Sequence, residues 1–342
     1  MDDFLTSGAI LQIASNRYLL AKGPFEENST RISNRLAFFV PDFFLDDLTP
    51  WKHPASYDEV DKKEILSLLQ DFSSPHVNIV WSAPNPSLFR ELFFDLQKNI
   101  AADILQKAVP LAFEEGLLRD NHPALITTLV KKSLELPSTL SVYGFWNKKS
   151  GIFGATPEIL FAQSDAAHIT TVALAGTSKN GKGAALKNSK EQQEHQYVLH
   201  DLQNVLSSHG SIEFGPTSVC TIPMLSHLKT GIFVKLHHPL NFETIIRIMH
   251  PTAALGAMPR EAGMKWLRYQ ESLFPRGLFG APFGIEWPDQ KRKCFVAIRN
   301  VMWKERQIKL GAGCGVIAES HVDDEWNEIL LKQRSVKEMF SL

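Results

Sequence analysis

The chain has 342 residues, 44% of them apolar, enough to bury a large core and unlike a disordered, collagenous or disulfide-stapled sequence. Its 36 Lys and Arg against 37 Asp and Glu leave a net charge of −1 and no basic stripe to follow a phosphate backbone, which excludes nucleic acid as a first expectation. Three scattered cysteines (Cys220, Cys294, Cys314), an uncharged-to-acidic start at Met1-Asp2-Asp3 and no apolar run near the roughly 18 to 20 residues that span a bilayer point to a cytoplasmic protein without membrane contact.

Residues 1 to about 90 are rich in Pro, Ser and Phe, with short apolar runs such as Val77 to Trp81 that suit strands between turns. From Leu88 the pattern becomes regular. Apolar residues at Leu92, Leu96, Ile100 and Ile104 predict a helix over Leu88 to Gln106, and Leu105 to Ala112 then reads extended. Further strands are predicted at Leu140 to Trp146, His168 to Leu174, Cys294 to Trp303 and Ile308 to Leu310. Helices are predicted at Ser189 to Leu206, Phe242 to Ile248, Pro259 to Glu271 and Asp323 to Met339. Strands outnumber what a strict alternation with helices would supply, so an α+β fold with antiparallel sheets is expected.

The run Gly176 to Gly183 matches the spacing of a phosphate-binding loop, GxxxxGK, but Gly183 stands where a Mg²⁺-ligating hydroxyl is required. A loose loop from Gly181 onward is the better reading. The carboxylates say more. Glu191 and Glu194 lie three apart on one predicted helix, and Glu325 and Glu328 on another, so each pair shares a helix face. Taken alone such a pair is most often a solvated surface. His195 follows Glu194, Trp326 follows Glu325, Lys332 lies one turn beyond Glu328, and Gly313-Cys314-Gly315 comes just before the second helix. Carboxylates from two elements beside a glycine turn suit a hard cation that keeps waters and takes one or two protein oxygens plus an anionic substrate. His195 and His200 have the wrong order and spacing for a zinc HExxH site.

In sequence and order, Gly154-Ala155-Thr156-Pro157-Glu158, Ala173 to Thr177, Ser189 to His195, His250-Pro251-Thr252-Ala253-Ala254-Leu255, Arg276-Gly277-Leu278-Phe279-Gly280, Ala297-Ile298-Arg299, Gly311 to Val316 and Glu325 to Glu328 with Lys332 resemble the chorismate-binding enzymes. The resemblance covers about residues 90 to 342. It implies two large antiparallel sheets packed orthogonally with surrounding helices. Residues 91–342 would then be the catalytic core and 1–90 a shortened N-terminal part of the same sandwich. It also implies Mg²⁺ held through Glu194 and Glu328, with Glu191 and Glu325 close by, and chorismate gripped by Arg299 and Lys332. Backbone groups of Thr177, Gly313 and Gly315 would complete the cradle, with His227 near the ring.

Two residues bear on the reaction. Lys107 matches the lysine of the water-using members of the family, the isochorismate and salicylate synthases, where ammonia-using relatives carry glutamine. Glu158 matches the family's general acid. The resemblance therefore implies isochorismate synthesis: Lys107 activates water for attack at C2 while Glu158 protonates the leaving C4 hydroxyl. Ala175 stands where amine-forming relatives place a nucleophilic lysine, and no glutaminase partner is expected. Ala253-Ala254-Leu255 and Met258-Pro259-Arg260 resemble the menaquinone branch more than the siderophore branch. Ala112 and Phe113 occupy the region where relatives carry an arginine after the base lysine, and Phe279 replaces a common tyrosine. A salicylate synthase, which goes on to eliminate pyruvate, and a non-catalytic chorismate-binding protein are the alternatives.

Overall fold

The computed structural model describes residues 2–72, 77–180, 186 and 189–342. Apart from Leu186, the loop expected between Gly181 and Asn188 lies outside the described residues. Among the described residues are eight helices and two nine-stranded antiparallel sheets. In the first sheet the strands run in the order Ser56–Asp61, Arg17–Lys22, Gly8–Ala14, Ser141–Trp146, Ser150–Thr156, Asn300–Lys304, Gln307–Gly313, Leu111–Leu118 and Ile79–Trp81. In the second the order is Gly210–Ile222, Leu225–Leu236, His168–Lys179, Ile159–Asp165, Arg292–Val296, Pro282–Glu286, Ala37–Phe39, Trp51–His53 and Glu26–Asn28.

Each sheet buries both faces. Leu11, Leu19, Tyr143 and Ile152 of the first sheet meet Phe38, Phe283, Ile285 and Phe295 of the second in one apolar cluster. The outer face of the first sheet, with Phe153 and Leu310, is covered by helices His122–Ser133 and Val322–Phe340 through Leu125, Leu129, Val336 and Phe340. The outer face of the second, with Phe161 and Ile232, is covered by Ser87–Ala101, Ser189–Leu206, Phe242–Met249 and Arg260–Leu273 through Leu92, Leu202, Ile245 and Leu267. The result is a helix–sheet–sheet–helix sandwich, the arrangement that lets two amphipathic sheets and one-sided helices hide all their apolar stripes. The N-terminal strands are woven into both sheets: Gly8–Ala14 pairs with Ser141–Trp146, and Ala37–Phe39 with Pro282–Glu286.

Helix periodicity transfers well. The helix at Ser189–Leu206 has the expected bounds, and Phe242–Met249, Arg260–Leu273 and Val322–Phe340 differ from expectation by at most two residues at either end. The helix expected to reach Gln106 ends at Ala101, since Asp103 adopts a left-handed φ of 56° and turns the chain towards Lys107. The single strand expected over Cys294 to Trp303 is two strands in different sheets, Arg292–Val296 and Asn300–Lys304. Arg299, at φ 55°, sits in the break where the chain passes from one sheet to the other. Pro157 and Glu158 occupy a second such crossing, between Ser150–Thr156 of the first sheet and Ile159–Asp165 of the second. The hairpin Gly210–Ile222 with Leu225–Leu236 was not among the expected strands.

Candidate active site

The two crossings lie side by side, Val296 N–H donating to Glu158 O at 3.1 Å and Ala155 N–H to Arg299 O at 3.1 Å. Glu158 and Arg299, 5% and 6% exposed, both line a small cavity there. Its wall also includes Ala175, Thr177, Glu194, His227, Leu255, Phe279, Gly313, Gly315 and Lys332. A much broader concavity of ≈ 980 Å³ opens elsewhere, around Arg119–Ala124 and Glu305, but the residues singled out above do not reach it.

Burial pushes the Glu158 carboxyl up to about 7, against the downward pull of Lys107, Arg299 and Lys332. Near pH 7 the carboxyl therefore keeps a share of its protons. His227 is pinned from both sides of its ring. Nδ1 faces Gly176 O at 3.1 Å, a carbonyl that can only accept, so Nδ1 carries the hydrogen. Nε2 must then accept, and Arg299 Nη2 donates to it at 3.2 Å. Burial, with Arg299 and Lys332 nearby, lowers the imidazole to about 3, so this neutral tautomer holds across the working range. His227, expected near the substrate ring, is seen here to steady the guanidinium.

Gly176 supplies the geometry. It is left-handed, φ 72°, at an irregularity in the strand His168–Lys179, which turns its carbonyl to His227 and sends Thr177 N–H to Glu191 Oε2 at 2.6 Å. The Thr177 N–H, expected to help cradle an anion, is engaged by that carboxylate in this structure. Gly313 O accepts from Lys332 Nζ at 2.5 Å, and Lys332 also pairs with Glu328 Oε1 at 2.7 Å.

Lys107 is fully buried and stands behind the cavity wall, its Nζ donating to Glu194 Oε1 at 3.1 Å. The short strand Lys107–Ala108 is held by Ala257–Met258 on one side and by a bridge from Ala108 to Val316 on the other. Gly315 lies against this pair so closely that a Cβ there would come within 2.0 Å of Glu194 Oε1 and 2.8 Å of Lys107 Cε.

The four glutamates expected on two helix faces do meet. Burial raises Glu191 to about 7, with further upward pressure from Glu194 and Glu328, and burial and Glu328 raise Glu325. Burial opposes the charge of Glu328 as well, but Lys332 and Lys190 outweigh it and hold this carboxyl well below the usual range. Each glutamate is drawn onto a cation or a main-chain N–H, and among the described residues no three acidic, His or Cys side chains are arranged to hold a metal ion as they stand. The donor set nevertheless fits a hard divalent cation: clustered buried carboxylates and a stand-in positive charge, the Lys190 ammonium, between the two helices.

Sequence reasoning missed one anchoring pair. Asp201, 3% exposed, accepts from Arg260 Nε at 2.6 Å and from Ala253 N–H at 2.9 Å, fastening the segment that carries Leu255 into the cavity wall. The partners lie 59 residues apart, so no spacing rule exposes them. The region where an arginine was expected is instead aromatic, with Phe113 against Phe274 and Phe279 and Lys309 Nζ 5.6 Å from its ring. No described helix is long and apolar enough to cross a membrane.

A two-sheet sandwich brings a carboxyl, a guanidinium and the Lys332 ammonium to one cavity at its sheet crossings. The chain belongs to the family described as chorismate binding enzymes, whose model matches residues 55–341. Among curated proteins it is 29% identical over 204 residues to the isochorismate synthase EntC of Escherichia coli K12, covering 56% of this chain and 51% of that one. It is also 29% identical over 230 residues to the isochorismate synthase MenF of Bacillus subtilis, covering 64% and 48%. The chain thus spans about half the length of these curated relatives in the matched regions. The solved structure of MenF, the menaquinone-specific isochorismate synthase of E. coli, superposes with a TM-score of 0.81 at 18% identity over 98% of this chain and 88% of that one, a likeness of fold.

Proposed function

We propose that the protein is an isochorismate synthase, converting chorismate to isochorismate by attack of water at C2 and loss of the C4 hydroxyl. The observation that carries this reading is that one buried site holds both Glu158, its carboxyl raised to about 7, and Lys107, which stands where ammonia-using relatives carry glutamine. The two relatives above, an EntC and a MenF at the same 29% identity, support the reaction and leave the choice of pathway open.

In this reading Arg299, steadied by His227 Nε2, and Lys332 bind the carboxylates of the substrate, the guanidinium suiting a planar two-oxygen anion. Glu158 gives its proton to the departing hydroxyl. Lys107, as the uncharged amine, takes a proton from the attacking water, which must reach Nζ past the Glu194 carboxylate. Glu194 and Glu328, with Glu191 and Glu325 beside them, would hold Mg²⁺, which when bound neutralises a substrate carboxylate and acts as a Lewis acid. The cavity is small in this structure, ≈ 60 Å³.

Incubation of the protein with chorismate and Mg²⁺, with products resolved by chromatography, should yield isochorismate. Salicylate plus pyruvate would favour the longer reaction instead, and unchanged chorismate a binding protein. An excess of ammonium should give no aminated product, because no amide stands at position 107 and Ala175 offers no nucleophile.

The pH profile follows from Glu158. The acid works only while protonated, so kcat should fall as pH rises through about 7. Glu158→Gln should lower kcat by roughly 10²–10⁴-fold and abolish that limb of the profile. A glutamine variant that keeps both rate and limb would remove Glu158 from the reaction.

A further inference from the structure

Lys190 belongs to no part of the scheme above. Its Nζ lies 2.5 Å from Glu325 Oε1 and 3.6 Å from Glu191 Oε1, so one ammonium bridges the two helices whose carboxylates form the cluster. Glu325 is 1% exposed, with Ser320 beside it, and its charge is met by the close approach of Lys190. Four glutamates and three lysines (Lys107, Lys190, Lys332) share this volume. Lys107 is sealed behind the wall on Glu194, and Lys332 is fixed by both Glu328 and the Gly313 carbonyl. The Lys190 side chain keeps 20% of its surface exposed, the most of the three lysines.

We propose that Lys190 is a resident counter-ion of the metal site: its ammonium occupies the gap between Glu191 and Glu325 and is displaced when a divalent cation binds, so that Lys190 sets the affinity for that cation. This rests on the reading of the four glutamates as a metal site. Two positive charges in one carboxylate pocket repel at short range, whereas an empty pocket without the ammonium would leave buried carboxylates uncompensated. The lysine thus stabilises the metal-free protein and competes with the metal.

The test uses the whole protein and Mg²⁺ alone. Lys190 should become several-fold more reactive to reductive methylation, read by peptide mass spectrometry, when Mg²⁺ saturates the protein. By calorimetry, Lys190→Met should bind Mg²⁺ at least several-fold more tightly than the unaltered protein. In EDTA its Tm should be lower, and Mg²⁺ should restore it. If Lys190→Met does not fold, Lys190→Gln carries the same expectations, and the labelling of the unaltered protein needs no variant. Unchanged labelling together with unchanged or weaker Mg²⁺ binding in the variant would overturn the counter-ion role. The metal-site reading would survive that result if Glu325→Gln loses Mg²⁺ binding. If the unaltered protein and all variants show no Mg²⁺ binding, the metal site itself falls, and the proposal with it.

Discussion

Lys107→Gln should lower kcat by roughly 10²–10⁴-fold, the range that a positioned proton acceptor contributes, while changing the affinity for chorismate little. Glutamine is the informative replacement. Lys107 is fully buried and paired with Glu194 at 3.1 Å, so removing the partner outright would strand a buried carboxylate at a cost of about 3–5 kcal/mol. A glutamine amide can still donate to Glu194 Oε1 and fills nearly the same volume, which keeps loss of chemistry separate from loss of fold. It cannot take a proton from water. The measurement is single-turnover kinetics beside equilibrium binding of chorismate, with the Tm as a control for folding. Turnover close to that of the unaltered protein would refute the base role. A weakened chorismate affinity with kcat intact would instead place Lys107 among the binding groups.

How much of this could be read beforehand depended on the range of the interaction. Helices with one apolar face, such as Ser189–Leu206 and Val322–Phe340, announce themselves through local spacing, and the two glutamate pairs they carry were legible for the same reason. The crossings between sheets were not. Cys294 to Trp303 reads as one apolar run because both halves are buried on two faces; only Arg299 at φ 55° divides it, and no residue preference marks an arginine for a left-handed turn. Yet that turn is what brings the guanidinium to Glu158. The hairpin of Gly210–Ile222 and Leu225–Leu236 carried only a weak signal: burial alternates from Thr230 to Leu236, but Thr230 is polar on the buried face and Phe233 apolar on the open one, which hides the period of two. The wiring of the site, with His227 between Gly176 O and Arg299, depends on partners 51 and 72 residues away. Such contacts exist only once the sheets have formed.

Gly315→Ala separates the geometry of the site from the stability of the fold. The backbone at Gly315 is not left-handed, so alanine is conformationally permitted and the whole effect is steric. The new Cβ would stand 2.0 Å from Glu194 Oε1, 2.6 Å from Glu194 Cδ and 2.8 Å from Lys107 Cε. What yields first is the end of the Glu194 side chain, the atom group with freedom to turn, and turning it breaks the pair with Lys107. Activity should therefore fall by roughly 10²-fold, comparable to misplacing a reacting group by about 1 Å. The loss of stability should stay near the lower end of the about 1–3 kcal/mol that overpacking a core costs. Gly313→Ala provides the contrast. There the Cβ meets Leu111 Cδ2 at 2.6 Å, Val109 Cγ1 at 2.7 Å and the Pro110 carbonyl at 3.2 Å, all packed apolar wall or main chain, so denaturant unfolding should show the larger stability loss of the two. If Gly315→Ala keeps full turnover, the contact of Glu194 with Lys107 has no part in the reaction. If the two variants lose stability equally and activity in proportion, the glycines serve packing alone, and the narrow approach of the 313–315 turn has no catalytic meaning.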